Sequence, residues 1–430
     1  MFTRAALLCI AALSALGSPS FAHSLAAPTE RREHEWPRDG GTQPRDPLES
    51  MTAAEIIRHW GYPVESHDVI TEDGFVLEML RIPYGRGGKR TNSTCHRPPI
   101  LLVHGIFQDA SAWVLNPPES SPGMILADAG FDVFLLSSRG TRNSERHLKM
   151  KKSDREYWKF TVDEMAKYDA PAAIDKALQL NGARSLYWVA HSQGTLIGFM
   201  MLADRPEYNQ KVRALFQLGT VGTMHYGKGI ARMIIKLSIA FRPLTREYNL
   251  DAHEVGFHNP AVMGDATRRL CPPARVGQLC YNLISHYTGH PSKAFNWSRA
   301  PVYFSHSLLS TSSWTILQYI QNSDRNSVDH FDMTPAENLQ RYGTIQAPPY
   351  NYSNIKANVY LFWSRADWMT TPRELTKWLI PHLRKGVIKG AYETRSYSHA
   401  DWIFAMDLKD RVFNRIISIV RKHDKNACHE

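Results

Sequence analysis

The chain has 430 residues, of which 43% are hydrophobic and 21% charged, a composition typical of a globular protein with a large core. Its formal net charge is +10. No dense Lys/Arg tract accompanies that charge, which argues against a nucleic-acid partner. The positive net charge favours either attraction to an anionic lipid surface or a role in solubility alone.

The N-terminus has the pattern of a secretory signal peptide over residues 1–22. Arg4 precedes an apolar run at 5–16, and Ser20-Phe21-Ala22 provides a small-x-small cleavage site. The run is too short to cross a bilayer, and no later segment is apolar for long enough. Residues 23–47 are rich in Arg, Glu, Pro and Gly and are expected to form a leader or linker without a core. We therefore expect a secreted or lysosomal protein without a transmembrane segment.

Strand-like segments then follow at the spacing of β-α-β units. Glu72-Asp73-Gly74 separates the first two and predicts a hairpin. Most of the later ones are continuous apolar runs, as expected of buried parallel strands. The predicted strands are 68–71, 75–80, 100–103, 131–136, 185–190, 214–218, 359–363 and a segment near 392–394, and a final helix carries Val412, Ile416, Ile419 and Val420 on one face.

The strand–helix alternation stops between about 222 and 350, where helical stretches, aromatic residues and prolines replace it. This pattern predicts one core in two parts, 48–221 and 351–430, with a cap inserted between them at 222–350. Within the cap, residues 227–241 predict an amphipathic helix. Lys228, Arg232 and Lys236 form a cationic stripe, and Ile230, Ile234, Leu237 and Phe241 follow helical spacing on another face. Such a helix suits either an anionic lipid surface or simple packing on the core.

The segment around Ser192 carries the strongest chemical signal. The apolar run 186–189 precedes Ala190-His191-Ser192-Gln193-Gly194, and a helix-like run follows. A buried strand, a tight turn with a serine at its tip and a helix form a nucleophile elbow. The sequence therefore predicts that Ser192 is a catalytic nucleophile.

A serine nucleophile needs a histidine base, and that base needs a carboxylate that fixes its tautomer. In this architecture the acid and the histidine follow the serine, each after a strand. Asp367 follows the strand ending at Trp363, and His399 follows the strand near Tyr392. We expect these two residues to be the acid and the base. The rivals are His382 and His423, which lie in or beside helix-like segments, and Asp401, which is too close to His399 in sequence to be placed beneath its ring.

Ester hydrolysis also needs backbone donors for the oxyanion. His104-Gly105-Ile106 follows the strand 100–103, where one donor is expected, and Gln193 directly after the serine supplies the other. His104 and His191 are interpreted as structural residues.

Four cysteines remain after removal of the signal peptide, an even number in an oxidising pathway. Cys271 and Cys280 would close a small loop. Cys95 and Cys428 either pair or include a free thiol, and the sequence does not decide between these alternatives. Sequons at Asn92, Asn296 and Asn351 predict N-glycosylation.

Six stretches carry a further pattern: Trp60–Pro63, Thr71–Gly74, Arg81–Gly85, Leu126–Gly130, Asp163–Asp169 and His191–Thr195. Through them the chain resembles the acid lipase family of gastric and lysosomal acid lipases, over roughly residues 48–422. The chain departs from the family pattern at Ala190, where the family has Gly, at Ser137, where it has Asn, and at the extra Cys95 and Cys428. The resemblance assigns the catalytic roles to Ser192, Asp367 and His399, the oxyanion donors to Ile106 and Gln193, and a cap disulfide to Cys271 and Cys280; the sequons at Asn296 and Asn351 also match.

The resemblance implies an α/β-hydrolase fold, with a mostly parallel central sheet and an inserted helical cap. The implied function is hydrolysis of lipid esters, triacylglycerols or cholesteryl esters, by a monomer at an emulsion or membrane surface, with no metal or cofactor. Two alternatives stay open: an esterase or thioesterase for soluble acyl substrates, and a non-catalytic lipid carrier. A carrier typically loses the nucleophile, whereas this chain has all three residues.

Overall fold

The computed structural model describes residues 45–88, 95–240, 252–256, 263–265, 267 and 277–428. Nine of the strands among these residues form one sheet. Its order is β1-β2-β4-β3-β6-β7-β10-β11, and β5 pairs with β2. The strands are β1 Glu65–Ile70, β2 Phe75–Ile82, β3 Pro99–Val103, β4 Asp132–Leu136, β5 Arg146–His147, β6 Leu186–His191, β7 Val212–Leu218, β10 Asn358–Trp363 and β11 Ile388–Glu393, while β8 Glu254–Val255 and β9 Thr311–Ser312 form a separate antiparallel pair.

Pairing is antiparallel from β1 through β2 to β4 and parallel from β4 to β11. The central strands are apolar because both faces of the sheet are covered. In β3, Leu101 and Val103 join one buried cluster, and Ile100 and Leu102 join the cluster on the opposite face. This alternation shows a sheet packed between two layers of helices.

Helices cover both faces of the sheet, and several contain a π-helical turn. The helices among the described residues are α1 Ala53–His59, α2 Pro122–Asp128, α3 Val162–Glu164, α4 Ala170–Asn181, α5 Gln193–Asp204, α6 Gly229–Ala240, α7 Gly277–Thr288, α8 Ala300–Ser305, α9 Ser313–Arg325, α10 Pro335–Tyr342, α11 Pro372–Glu374, α12 Ile380–His382, α13 Asp401–Phe404 and α14 Asn414–His423, with π-helical turns at Met165–Asp169, Leu375–Leu379 and Lys409–Phe413. None of these helices is long and apolar enough to cross a membrane.

The predicted strands are confirmed, with ends that move by a few residues. The predicted hairpin pairs β1 with β2, and β7 and β10 are sheet neighbours although 139 residues of chain separate Leu218 from Asn358. That intervening chain contains α6 to α10 and the small β8–β9 pair. It is the stretch in which the sequence predicts the cap.

The predicted final helix is also confirmed as α14 and the π-helical turn before it. Val412, Ile416 and Val420 are fully buried, whereas Ile419 lies only partly buried at the margin. The predicted cap helix is observed as α6, but its buried residues are Ala231 and Ile235. The predicted apolar positions Ile234 and Leu237 face outward. Helical spacing therefore identified an apolar side of α6, but it did not show whether that side or another side packs on the core.

A buried ion cluster joins two of the stretches that carry the family resemblance, Thr71–Gly74 and Asp163–Asp169, through Arg139. Arg139, whose side chain is fully buried, donates to both Asp73 carboxylate oxygens at 2.6 and 3.0 Å and to Asp169 at 2.8 Å. Its guanidinium also lies 4.2 Å from the centre of the Phe75 ring. The cluster ties the β1–β2 turn to the segment after β4 and to the start of α4. A buried arginine of this kind is tolerated because carboxylates and an aromatic face surround it.

The structure also shows whether Cys95 and Cys428 pair, a question that the sequence leaves open. Cys95 and Cys428 form a disulfide, and the backbone of His96 pairs with Ala427 beside it. The predicted partners Cys271 and Cys280 lie outside the residues whose side chains are described, as does Asn92. At both described sequons, Asn296 and Asn351, the side-chain oxygen accepts hydrogen bonds from the serine two residues later.

We expect a Cys95→Ser, Cys428→Ser double variant to lose about 2–5 kcal/mol of unfolding free energy, because the disulfide closes a very long loop in the unfolded chain. Urea unfolding of the two proteins under non-reducing conditions measures the difference. Equal midpoints, or recovery of both thiols as alkylatable groups in the native wild type, would contradict the pairing.

Candidate active site

Ser192 lies at the turn between β6 and α5 in a backbone conformation that few residues adopt. Its φ and ψ are 52° and −120°. This strain is tolerated where the surrounding structure enforces it, as at nucleophile turns. Gly194 allows the close approach of α5 to β3, because a Cβ there would lie 2.4 Å from the carbonyl oxygen of Val103. The turn therefore holds Ser192 at the end of β6, where its hydroxyl meets His399.

The structure brings the three predicted residues together. His399 Nε2 lies 2.8 Å from Ser192 Oγ, and His399 Nδ1 lies 2.9 Å from Asp367 Oδ2. Asp367 follows β10 and His399 follows β11, so parallel pairing places both loops at the edge where β6 ends. The exposed fractions of Ser192, Asp367 and His399 are 4%, 1% and 5%. The hydrogen-bonded chain is thus shielded from water, which strengthens its interactions.

Asp367 is held by donors on both carboxylate oxygens. The backbone N–H groups of Met369 and Thr370 donate to Oδ1 at 3.0 and 2.9 Å. The Thr370 hydroxyl and the indole N–H of Trp402 donate to Oδ2 at 2.7 and 3.0 Å, beside the His399 ring. These contacts leave the carboxylate one orientation, in which it faces Nδ1 of His399.

The rival residues have other partners. Asp401 accepts hydrogen bonds from the backbone and hydroxyl groups of Ser292 and Ser398, at 2.7 to 2.9 Å. It therefore braces the loop that carries His399, and burial raises its pKa. His382 forms a hydrogen bond with the carbonyl of Trp378, and His423 forms one with the hydroxyl of Tyr360, so neither ring is bound to Ser192.

Two further contacts position His399, and sequence reasoning did not find them. His191 Nε2 donates to the His399 carbonyl at 3.1 Å. The pKa of His191 lies well below its usual value, mainly because the ring is buried and secondly because His399 is close. The His191 ring is therefore neutral. The carbonyl of Thr288, at the end of α7, accepts from the backbone N–H groups of His399 and Trp368 at 2.9 and 3.2 Å. A backbone acceptor has no sequence signal, so Thr288 could not have been predicted.

The predicted oxyanion loop follows β3 beside the elbow. A Cβ on Gly105 would lie 2.9 Å from Gln108 Oε1 and 3.1 Å from Ser192 Cβ, so a larger residue here would press on both neighbours. The backbone N–H of Gly105 donates to Gln108 Oε1 at 3.1 Å. The N–H groups of Ile106 and Gln193 donate to no acceptor among the described residues. Both N–H groups are therefore available to a substrate oxygen.

The predicted structural role of His104 agrees with its contacts. Its Nδ1 lies 2.7 Å from the carbonyl of Gly105, and its Nε2 accepts from the Ser138 N–H at 3.0 Å. Burial lowers its pKa. Both ring nitrogens are thus occupied in fixing the loop.

The side chain of Gln193 is held between core and cap. Its Nε2 donates to the Met165 sulfur at 3.4 Å, and its Oε1 accepts from the buried Tyr319 hydroxyl at 3.2 Å. Tyr319 belongs to α9, so a helix of the segment inserted between β7 and β10 contacts one of the two predicted oxyanion residues directly. Within the described residues, no group of three or more His, Cys, Asp or Glu side chains is arranged to bind a metal ion.

Comparisons with known proteins agree with this architecture. Residues 53–117 match the family model "Partial alpha/beta-hydrolase lipase region", and residues 98–248 match "alpha/beta hydrolase fold". The chain is 33% identical to lipase lipl-1 of Caenorhabditis elegans, over 89% of this chain and 94% of that protein. It is 32% identical to human gastric triacylglycerol lipase, over 90% of this chain and 95% of that protein.

A structural likeness supports the fold alone. The crystal structure of a candidate lipase, lip1, of Acinetobacter baumannii AYE superposes with a TM-score of 0.50 at 14% identity, covering 89% of this chain and all of that one. The sequence identity of 32–33% to lipases over nearly the full length of the chain is what establishes homology. The chain belongs to the acid lipase family of α/β-hydrolases, as the resemblance in its sequence predicted.

Proposed function

We propose that this protein hydrolyses lipid esters, triacylglycerols or cholesteryl esters, through an acyl-enzyme on Ser192. The observation that carries the proposal is the continuous hydrogen-bonded chain from Ser192 Oγ through His399 to Asp367. His399 has its Nδ1–H directed at a carboxylate, so Nε2 is free to accept the serine proton. Gastric triacylglycerol lipase, named for its substrate, is a relative over most of the chain.

In the first half of the reaction, Ser192 Oγ attacks the ester carbonyl carbon as its proton passes to His399 Nε2. The backbone N–H groups of Ile106 and Gln193 donate to the oxyanion. Collapse of the resulting tetrahedral intermediate breaks the bond to the leaving alcohol, and the alcohol oxygen takes the proton from His399. In the second half, water gives a proton to His399 and adds to the acyl carbon. The fatty acid leaves and Ser192 regains its proton.

A feature of α6 supports a lipid substrate over a soluble ester. Its apolar stripe, Met233, Ile234 and Leu237, has exposed fractions of 40%, 44% and 48%. The candidate nucleophile, by contrast, is almost wholly buried, so a substrate reaches it only after covering side chains move. An emulsion or membrane surface that accepts this stripe provides a reason for such a movement.

We also propose that the protein acts as a monomer in an oxidising compartment, either secreted or lysosomal. The Cys95–Cys428 disulfide supports that location, because such bonds persist in oxidising environments. The candidate catalytic groups come from one chain, so a second copy is not needed to complete the site.

We expect Ser192→Ala to lose on the order of 10⁴-fold or more in kcat while the fold persists, because the acyl-enzyme cannot form. Hydrolysis of a soluble p-nitrophenyl ester and labelling by a fluorophosphonate probe measure this, with circular dichroism as the folding control. Retained labelling or turnover would exclude Ser192 as the nucleophile. Absence of labelling in the wild type would favour a non-catalytic carrier.

Two carboxylate variants should separate the roles of Asp367 and Asp401. Asp367→Asn should lower kcat about 10⁴-fold, because the amide favours the wrong His399 tautomer. Asp401→Asn should mainly lower the melting temperature, since Asp401 contacts serine donors rather than the imidazole ring. The reverse ranking of the two variants in kcat would show that the wrong carboxylate was assigned.

We expect an Ile234→Gln, Leu237→Gln variant to hydrolyse emulsified long-chain triacylglycerol about tenfold more slowly, because two side chains no longer enter the apolar phase. Its rate on a soluble short-chain ester should not change. Leu339→Gln is the matched control, since Leu339 is 55% exposed on another cap helix. Equal loss on both substrates would indicate a packing role for the stripe, and no loss on either would remove it from the proposed function.

A further inference from the structure

A cleft of about 590 Å³ lies where α6 meets the core segment that begins α11. The cationic stripe of α6, Lys228, Arg232 and Lys236, lines one side. Arg373 lines the other side, so cap and core each contribute positive charge. The cleft is separate from Ser192, and nothing in the proposed reaction uses these four side chains.

The two walls of the cleft are tied together by hydrogen bonds. The Thr371 hydroxyl donates to the carbonyl of Tyr226 at 3.0 Å, and the Lys228 N–H donates to the carbonyl of Trp368 at 2.7 Å. Arg373 lies over the Tyr226 ring, with its guanidinium carbon 5.0 Å from the ring centre. This stacking orients a planar donor fork, which suits a tetrahedral oxyanion such as phosphate.

The positive charge of the cleft is not neutralised locally. Among the described residues, Lys228, Lys236 and Arg373 form no ion pair with a carboxylate. Glu374 is nearby but buried, and its oxygens accept hydrogen bonds from the backbone of Thr223 and Tyr226. Burial lowers the pKa of Arg232 despite the proximity of Glu374 and Asp324. Four cations near two acids leave a net positive site.

The surroundings of the cleft indicate which phosphate it receives. The apolar stripe follows the cationic stripe around α6, at 100° of rotation per residue. Met233 lies about 60° around the helix from Lys236, and Leu237 and Ile234 lie about 100° and 160° from it, so the exposed apolar surface begins next to the Lys236 end of the cleft. A free inorganic ion makes no use of that surface, whereas the acyl chains of a lipid do.

We propose that this cleft binds the headgroup phosphate of an anionic phospholipid and so anchors α6 to the lipid surface. The proposal rests on the proposed interfacial function and adds a named ligand class and a core residue, Arg373, to it. The phospholipid is a surface anchor here, and no bond in it is broken.

The test uses the full chain carrying Ser192→Ala, so that binding is measured without turnover. Calorimetric titration with dihexanoyl-phosphatidylglycerol below its micelle concentration should give saturable binding. Dihexanoyl-phosphatidylcholine and inorganic phosphate should bind at least about tenfold more weakly, since each lacks either the net charge or the acyl chains. Equal binding of inorganic phosphate would overturn the lipid assignment, and absence of saturable binding would overturn the site.

Lys228→Gln with Arg373→Gln should weaken partitioning onto phosphatidylglycerol-containing vesicles about thirtyfold. Lys385→Gln with Lys389→Gln removes the same charge from exposed positions outside the cleft and serves as the control. An equal decrease in both variants would reduce the effect to general surface charge and overturn the site. Failure of the lipase proposal would appear separately, as an inactive wild type whose vesicle binding is retained.

Discussion

Parallel pairing from β4 to β11 is the constraint on which the candidate site depends. It turns the carboxyl ends of β3, β6, β10 and β11 to one edge of the sheet. The oxyanion loop, Ser192, Asp367 and His399 follow those ends, although hundreds of residues separate the first from the last. Because the sheet is buried on both faces, the relative positions of these loops are set by a rigid framework and not by the loops themselves.

The segment inserted between β7 and β10 then adds contacts that the sheet cannot provide. Thr288 accepts hydrogen bonds from both loops that carry the acid and the base, and Tyr319 contacts Gln193. The Asp401 carboxylate joins Ser292 of the inserted segment to the His399 loop. The inserted segment therefore braces the loops that carry the candidate residues. A change in the position of this segment would be transmitted to the loops of Asp367 and His399 through a few hydrogen bonds.

The sequence predicted those parts of the molecule whose signals are local. Apolar runs predicted the strands. The small residues on either side of Ser192 predicted the elbow, because a larger side chain within a few residues of the serine would collide with the neighbouring strand or helix. Asp367 and His399 were found from chain order and their places after strands. Pairing of Cys95 with Cys428 was not predictable, because 333 residues separate them and their approach follows from the tertiary fold. The support from Thr288 was equally hidden, since any residue can supply a carbonyl. The outward direction of Ile234 and Leu237 depends on which side of α6 the core occupies.

The Cys95–Cys428 disulfide also makes a covalent ring of the chain between these two residues. Ser192, Asp367, His399 and the whole inserted segment lie within that ring. A single proteolytic cut in a cap loop would open the ring into a linear molecule and leave the serine-bearing and histidine-bearing fragments covalently attached. In an environment rich in proteases, a nicked protein would therefore remain one particle, and its two parts would separate only after reduction.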